Sequence, residues 1–172
     1  IPKKNRIVED FDIFNYIKPS FKKNKEVVLN LIKQGYGTME HIDTSLKKNK
    51  EFILNLISPI SLDTDQFENF YPTKFHNEFK YVDLSLKSDE VFALQALEIT
   101  GEIFPYLSSD LQKDRKIVLS AFNSNVSCYF FEARPYLNQS ILNDKDIISL
   151  AAKKNRFGNN DLKYLKKEFK EN

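Results

Sequence analysis

Apolar residues in this chain recur in groups of four, at three, four, seven and eight positions beyond an Asn or Asp. Behind Asn24 come Val27, Val28, Leu31 and Ile32; behind Asn49 come Phe52, Ile53, Leu56 and Ile57. Behind Asp89 come Phe92, Ala93, Ala96 and Leu97; behind Asp114 come Ile117, Val118, Ala121 and Phe122; behind Asp144 come Ile147, Ile148, Ala151 and Ala152. This is the period of an amphipathic helix with one buried stripe. A further leucine at the fifth position (Leu29, Leu54, Leu94, Leu119) widens the stripe in four copies, and Ser149 interrupts it in the last. A stripe so wide predicts neighbours on more than one side. Asn and Asp are favoured helix N-caps, because the side-chain oxygen accepts an N–H that the first turn leaves unpaired. Each of the five is therefore expected to start a helix.

The copies are visible as words: "FKKNKEVVLNLI", "LKKNKEFILNLI", "LKSDEVFALQAL", "LQKDRKIVLSAF" and "ILNDKDIISLAA". The caps are spaced 25, 40, 25 and 30 residues apart, as in a 25-residue unit with 15 residues inserted once and 5 once. Phe21, Leu46, Leu86, Leu111 and Ile141, three residues before each cap, are placed to pack beneath the new helix like a staple. Shorter apolar patterns between the long helices ("GTMEHIDTSL", "EFKYVDLSL", "EIFPYLSSDL", "CYFFEARPYL", "DLKYLKKEF") predict a second helix of about two turns in each unit. Gly35, Gly101 and Gly158 fall where a long helix ends and glycine is the natural C-cap. One such pair cannot bury its apolar face, but stacked pairs can. The expected fold is all-α: a helical-repeat solenoid of about five short helix pairs in a single domain, 1–172. Its units lie near 18–45, 46–85, 86–110, 111–140 and 141–172. An opening helix over 8–17, ended by Pro19, caps one end. The tail 151–172, with Leu162, Leu165 and Phe169 at helical spacing, reads as a closing cap helix or as a membrane-surface or partner helix.

The repeated word resembles the units of the domain-of-unknown-function family 4116, which read as Leu, two polar residues, Asp, a basic and a polar residue, then an apolar helical run. The resemblance covers about residues 18–157. It is clear at "LQKDRKIVLSAF" and "FKKNKEVVLNLI" and looser at "LKSDEVFALQAL". It implies a helical-repeat module of a kind found in protists, large viruses and intracellular bacterial pathogens, sometimes in secreted effectors. It carries no catalytic residues across. The chain departs from the family by the long insertion in its second unit and by Asn at the first two caps.

That insertion, 58–79, contains Pro59, Pro72, the acids Asp63, Asp65 and Glu68, and the aromatics Phe67, Phe70, Tyr71 and Phe75. Insertions in repeat proteins map to one face, often the binding face. Phe67, Phe70, Tyr71, Asp63 and Asp65 are thus candidate partner contacts; the other reading has the aromatics tucked back over a gap between units.

Charge adds a second candidate. The net charge of +2 is too balanced to point to nucleic acid. Its distribution is uneven: 11 basic against 7 acidic side chains in residues 1–56, 3 against 10 in 57–110, and 12 against 7 in 111–172. Lys22, Lys23, Lys47, Lys48, Lys113 and Arg115 hold repeat-equivalent or nearly equivalent places. Aligned by stacking, they would form a basic ridge able to take RNA, a phosphoinositide or another polyanion; a plain solvated edge is the competing reading.

Other chemistry finds little footing. His41 and His76 are the only histidines, and neither has ligand spacing, although His76 could join Asp63, Asp65 or Glu78. Cys128 stands alone among aromatics in "VSCYFFEA", which predicts a buried structural thiol rather than a nucleophile and fits a reducing, cytoplasmic compartment. For a secreted effector that compartment would be a host cytosol. "GYG" (35–37) lacks the Lys-Ser/Thr of a phosphate loop. No stretch has the length of a membrane span. The chain opens "IPKKNR", as a piece of a longer protein would. The expectation is a non-catalytic protein–protein interaction module without cofactors or metal; the polyanion binder is the alternative, and oligomeric state is left open.

Overall fold

The structure, a computed structural model, describes residues 12–58, 75–124, 128–154 and 156–157. Five long helices follow one another: α1 (Lys25–Lys33), α2 (Lys50–Ile57), α3 (Glu90–Ile99), α4 (Arg115–Asn123) and α5 (Lys145–Lys153). All five expected caps start them. The side-chain oxygen of Asn24 accepts the Val27 N–H, that of Asn49 the Phe52 N–H and that of Asp89 the Phe92 N–H. Asp114 takes the N–H groups of Lys116 and Ile117, and Asp144 those of Asp146 and Ile147. The fold is all-α, and the described residues contain no strand.

Of the expected two-turn second helices, "CYFFEARPYL" is helical over 130–136 and "EIFPYLSSDL" over Gly101–Tyr106, "DLKYLKKEF" lies outside the described residues, and "GTMEHIDTSL" and "EFKYVDLSL" are broken in mid-pattern. In three units a second cap stands six residues before the first. Asp43 accepts the N–H and O–H of Ser45, and Asp83 those of Ser85. Asn138 accepts the Ile141 N–H and the Ser140 O–H. An N-cap sits in extended backbone, so each of these residues stops one turn and starts another. The result is a 3-10 turn (Met39–His41, Phe79–Tyr81, Gly101–Tyr106 or Arg134–Tyr136) followed by a single turn (Thr44–Lys47, Leu84–Lys87, Leu111–Lys113 or Gln139–Leu142) that runs into the long helix. The unit is a chain of short capped turns carrying one real helix. The described part of the expected opening helix is likewise only a 3-10 turn, Ile13–Asn15.

Each long helix packs on the next: α1 on α2, α2 on α3, α3 on α4, α4 on α5. The stripe positions divide the work. In α2, α3 and α4 all four are buried. In α1 only the fourth and eighth (Val28, Ile32) are buried, with Val27 and Leu31 half-covered. In α5 only the third and seventh (Ile147, Ala151) are buried; Ile148 is half-covered and Ala152 exposed. The third and seventh positions therefore face the preceding unit, and the fourth and eighth face the following one. The end helices lack one neighbour each among the described residues.

Two glycines have distinct reasons. Gly35 ends α1 at φ +78° with its N–H on the Ile32 carbonyl, and the Tyr36 N–H reaches the Leu31 carbonyl, closing the helix as expected. Gly101 is no such cap. A Cβ there would lie 2.5 Å from the Ala121 carbonyl oxygen and 2.9 Å from the Cys128 Cβ, so it is glycine because two units meet on it. Gly158 lies outside the described residues.

Removing a neutral cap tests the helix starts. Asn49→Ala should cost about 1 kcal/mol in urea unfolding, while Asn49→Asp, which keeps the accepting oxygen, should stay close to the parent.

Candidate functional site

The basic residues of the repeated word are spent on stacking. Counting from each long-helix cap, the residue one before it meets the second cap of the next unit: Lys23 Nζ lies 3.7 Å from Asp43, and Lys48 Nζ 3.7 Å from Asp83. Lys113 holds the same place, but the next unit offers neutral Asn138, and Lys113 makes no ion pair among the described residues. The residue one after the cap reaches the next cap itself. Lys50 pairs with Asp89, and Arg115 pairs with Asp144 at 2.7 Å and with Asp146. Lys25 faces the neutral cap Asn49 and takes Glu51 instead, at 3.7 Å. Between the third and fourth units the sign is reversed: Glu90 receives Lys116 at 2.8 Å.

The residue two before the cap turns inward. Lys47 Nζ donates to the Glu40 carbonyl at 2.7 Å, Lys87 Nζ to the Lys80 carbonyl at 2.6 Å, and Gln112 Nε2 to the Pro105 carbonyl at 2.9 Å. All three acceptors lie seven residues upstream, in the 3-10 turn. The backbone carbonyls of Lys22, Lys47 and Lys87 also accept the N–H groups of Asp43, Asp83 and Ser108 in the next unit. Of the six ridge candidates, Lys23, Lys47, Lys48 and Arg115 are thus engaged, and Lys22 and Lys113 make no ion pair or side-chain hydrogen bond among the described residues. Phe67, Phe70, Tyr71, Asp63 and Asp65 lie outside the described residues.

These contacts set the titration of the caps. The hydroxyl and N–H of Ser45 and Ser85 hold the Asp43 and Asp83 carboxyls below the usual carboxylate range, helped by Lys23 and Lys48. Lys50 does the same for Asp89, and Arg115 for Asp144. Burial lowers the Lys87 ammonium despite the nearby Asp83.

Two polar centres escaped sequence reading. Asp12 is buried, and its carboxylate accepts the Phe14 N–H, the Thr38 N–H and hydroxyl, and a hydrogen bond with His41 Nδ1 at 2.8 Å. Burial opposes its charge, but these partners outweigh burial and hold its carboxyl below the ordinary value. Gly37 admits this cluster, since a Cβ there would meet the Phe14 ring at 2.5 Å and the Asp12 carboxylate at 2.8 Å. His41 thereby ties the first turn to the second unit. Glu78 accepts the Met39 N–H at 2.5 Å from the third unit, and burial pushes its carboxyl up. Neither centre has a periodic signal, because each occurs once. Among the described residues no group of three His, Cys, Asp or Glu could hold a metal. No helix among them is long and apolar enough to cross a membrane. Cys128 is buried against Gly101, and burial pushes its thiol up to about 12.

What remains outward is a row over the junctions. Leu29, Leu54, Leu94 and Leu119 are each partly covered by the core below. Asn30, Asn55 and Gln95 stand exposed one residue further on, and Val91 is 65% exposed. Between α1 and α2 this row opens into a groove of about 210 Å³ lined by Lys25, Glu26, Leu29, Glu51, Phe52 and Asn55.

Two stretches, 24–63 and 92–132, match the family described as a domain of unknown function (DUF4116). Both stretches are similar to DUF4116 repeats. Each match takes in two successive long helices, α1 with α2 and α3 with α4, so the DUF4116 pattern spans a stacked pair rather than one unit. α5 lies beyond both matches although its cap and stripe follow the same rule. No curated protein and no solved structure matches the chain.

Two outcomes follow from these environments. The depressed Asp caps stabilise the fold above their unfolded pKa of about 3.9, and that stability drains away as pH falls through the lower folded values. Half-buried Glu78 works the other way, its contribution being full in acid and fading as pH rises through its raised folded value. Thermal midpoints should hold near neutrality and drop below about pH 4, less steeply in Asp89→Asn, which keeps a capping oxygen. Cys128 should label with a thiol reagent only at the rate of unfolding, at pH 7 and pH 9 alike.

Proposed function

We propose that this chain is a non-catalytic interaction module whose partner lies along the outer face of the long helices. The observation that carries the reading is the row of Leu29, Leu54, Leu94 and Leu119. Four stacked helices repeat a half-covered leucine over the junctions between units, and in three of them an exposed amide side chain follows it. Stacking alone does not require an outward apolar line, and repeat arrays commonly bind along such continuous surfaces. The Leu29–Phe52 groove gives one apolar side chain of a partner a seat, with amide donors and acceptors beside it for a peptide backbone. The insertion aromatics Phe67, Phe70 and Tyr71 and the acids Asp63 and Asp65 are a second candidate patch of the same module. A secreted, host-facing role is compatible with the family resemblance and rests on nothing more.

The polyanion reading is supported less, because most of the lysine ridge already faces carboxylates or carbonyls. Among the described residues, Lys22 and Lys113 are the ridge cations without such a contact, and reversing both to Glu should leave heparin retention almost unchanged. A salt-sensitive loss of retention would revive the ridge.

A pull-down separates the two protein surfaces. Val91→Lys with Leu54→Ser should remove the captured partner while the circular dichroism melt shifts little, since Val91 is largely exposed. Capture unaffected by this pair and abolished by Ala at Phe67, Phe70 and Tyr71 would move the site to the insertion.

A further inference from the structure

The two ends of the stack are complementary to each other. Inside the array, the fourth and eighth positions of one helix pack on the third and seventh of the next. At the head, Val27 and Leu31 of the second kind are only half-covered, and the staple residue Phe21 is 46% exposed where Leu46, Leu86 and Ile141 are buried. At the tail, Ile148 and Ala152 of the first kind are half-covered and exposed.

The charges agree with the packing. The junction between the first two units has a lysine one after its cap, a neutral Asn cap opposite, and a glutamate two after that cap: Lys25, Asn49 and Glu51, with the ion pair at 3.7 Å. The tail offers Lys145 one after its cap. The head offers the neutral cap Asn24 and, two after it, Glu26. Lys145 and Glu26 are both exposed and make no ion pair among the described residues. Placed tail to head, they reproduce the Lys25–Glu51 arrangement. The lysine before the head's first turn, Lys18, would meet neutral Asn143.

We infer that copies of this chain associate head to tail, α5 of one copy packing on α1 of the next, with Lys145 facing Glu26. The contact is heterologous: each copy uses two different surfaces and leaves one free, so assembly continues beyond a dimer or closes into a ring.

Sedimentation velocity across concentration tests this on the whole chain. The weight-average mass should rise with concentration past that of a dimer. Lys145→Glu and Glu26→Lys should each weaken association at least about two-fold, the range of an exposed ion pair, and the chain carrying both should recover it. Ala152→Glu, at an exposed site, should abolish association with the helical signal intact. A monomer at every concentration overturns the inference. So does a mass that levels off at a dimer and ignores the charge reversals, which would mark an isologous contact elsewhere.

Discussion

Stacking in this protein depends on the oxygen atoms at the starts of its long helices. A helix leaves its first N–H groups unpaired, and the cap side chain satisfies them. In Asp89 and Asp144 the same carboxylate also receives a cation from the unit before, Lys50 or Arg115. One group therefore sets where a helix begins and how it is registered on its neighbour. Where the cap is a neutral Asn, the second task moves to another acid, as Lys25 shows by choosing Glu51 over Asn49. Each exposed pair is worth little singly. Their regular placement selects one register among several that the apolar stripe alone would tolerate.

The long helices were legible in the sequence because cap and stripe are periodic and local. Five Asn/Asp anchors and their third, fourth, seventh and eighth neighbours stand where expected, and only the end helices leave some of them uncovered. The short elements were misjudged for a physical reason. Apolar spacing in "GTMEHIDTSL" suits a helix, but Asp43 and Ser45 compete for the backbone and favour a turn start in mid-pattern. The signal was present in "DTSLKKN", "DLSLKSD" and "NQSILND", where a second cap precedes the first by six residues. The basic ridge was legible as a row of lysines and misleading as a surface, because sequence shows the cations of one unit but not the carboxylates of the next that receive them. Asp12 with His41, and Glu78 with Met39, join neighbouring units once each and leave no period to read.

Stacking and binding draw on different faces of the same helix. Two flanks of each inner long helix are buried by its neighbours, and most charged residues beside the inner caps are engaged at the junctions. The arc left over holds the fifth and sixth positions and Val91. A partner on that arc meets leucines and amides, with few free charges, so its binding should be steered by shape and apolar contact more than by long-range electrostatics.

The uneven spacing of the caps has the same root. The second and third caps are 40 residues apart and the first and second 25, yet both junctions repeat one contact set. Asp43 N–H reaches the Lys22 carbonyl at 3.2 Å, and Asp83 N–H the Lys47 carbonyl at 3.1 Å. Lys23 and Lys48 meet those same two aspartates at equal distance. The residues that make this contact set lie between the second cap and the end of the long helix. Extra length falls after the helix and before the next 3-10 turn, where closing a longer connection costs only about 0.6 kcal/mol per doubling. The array can therefore vary its connections freely while its register stays fixed, and this separates what holds the stack from what is open to acquire a binding role.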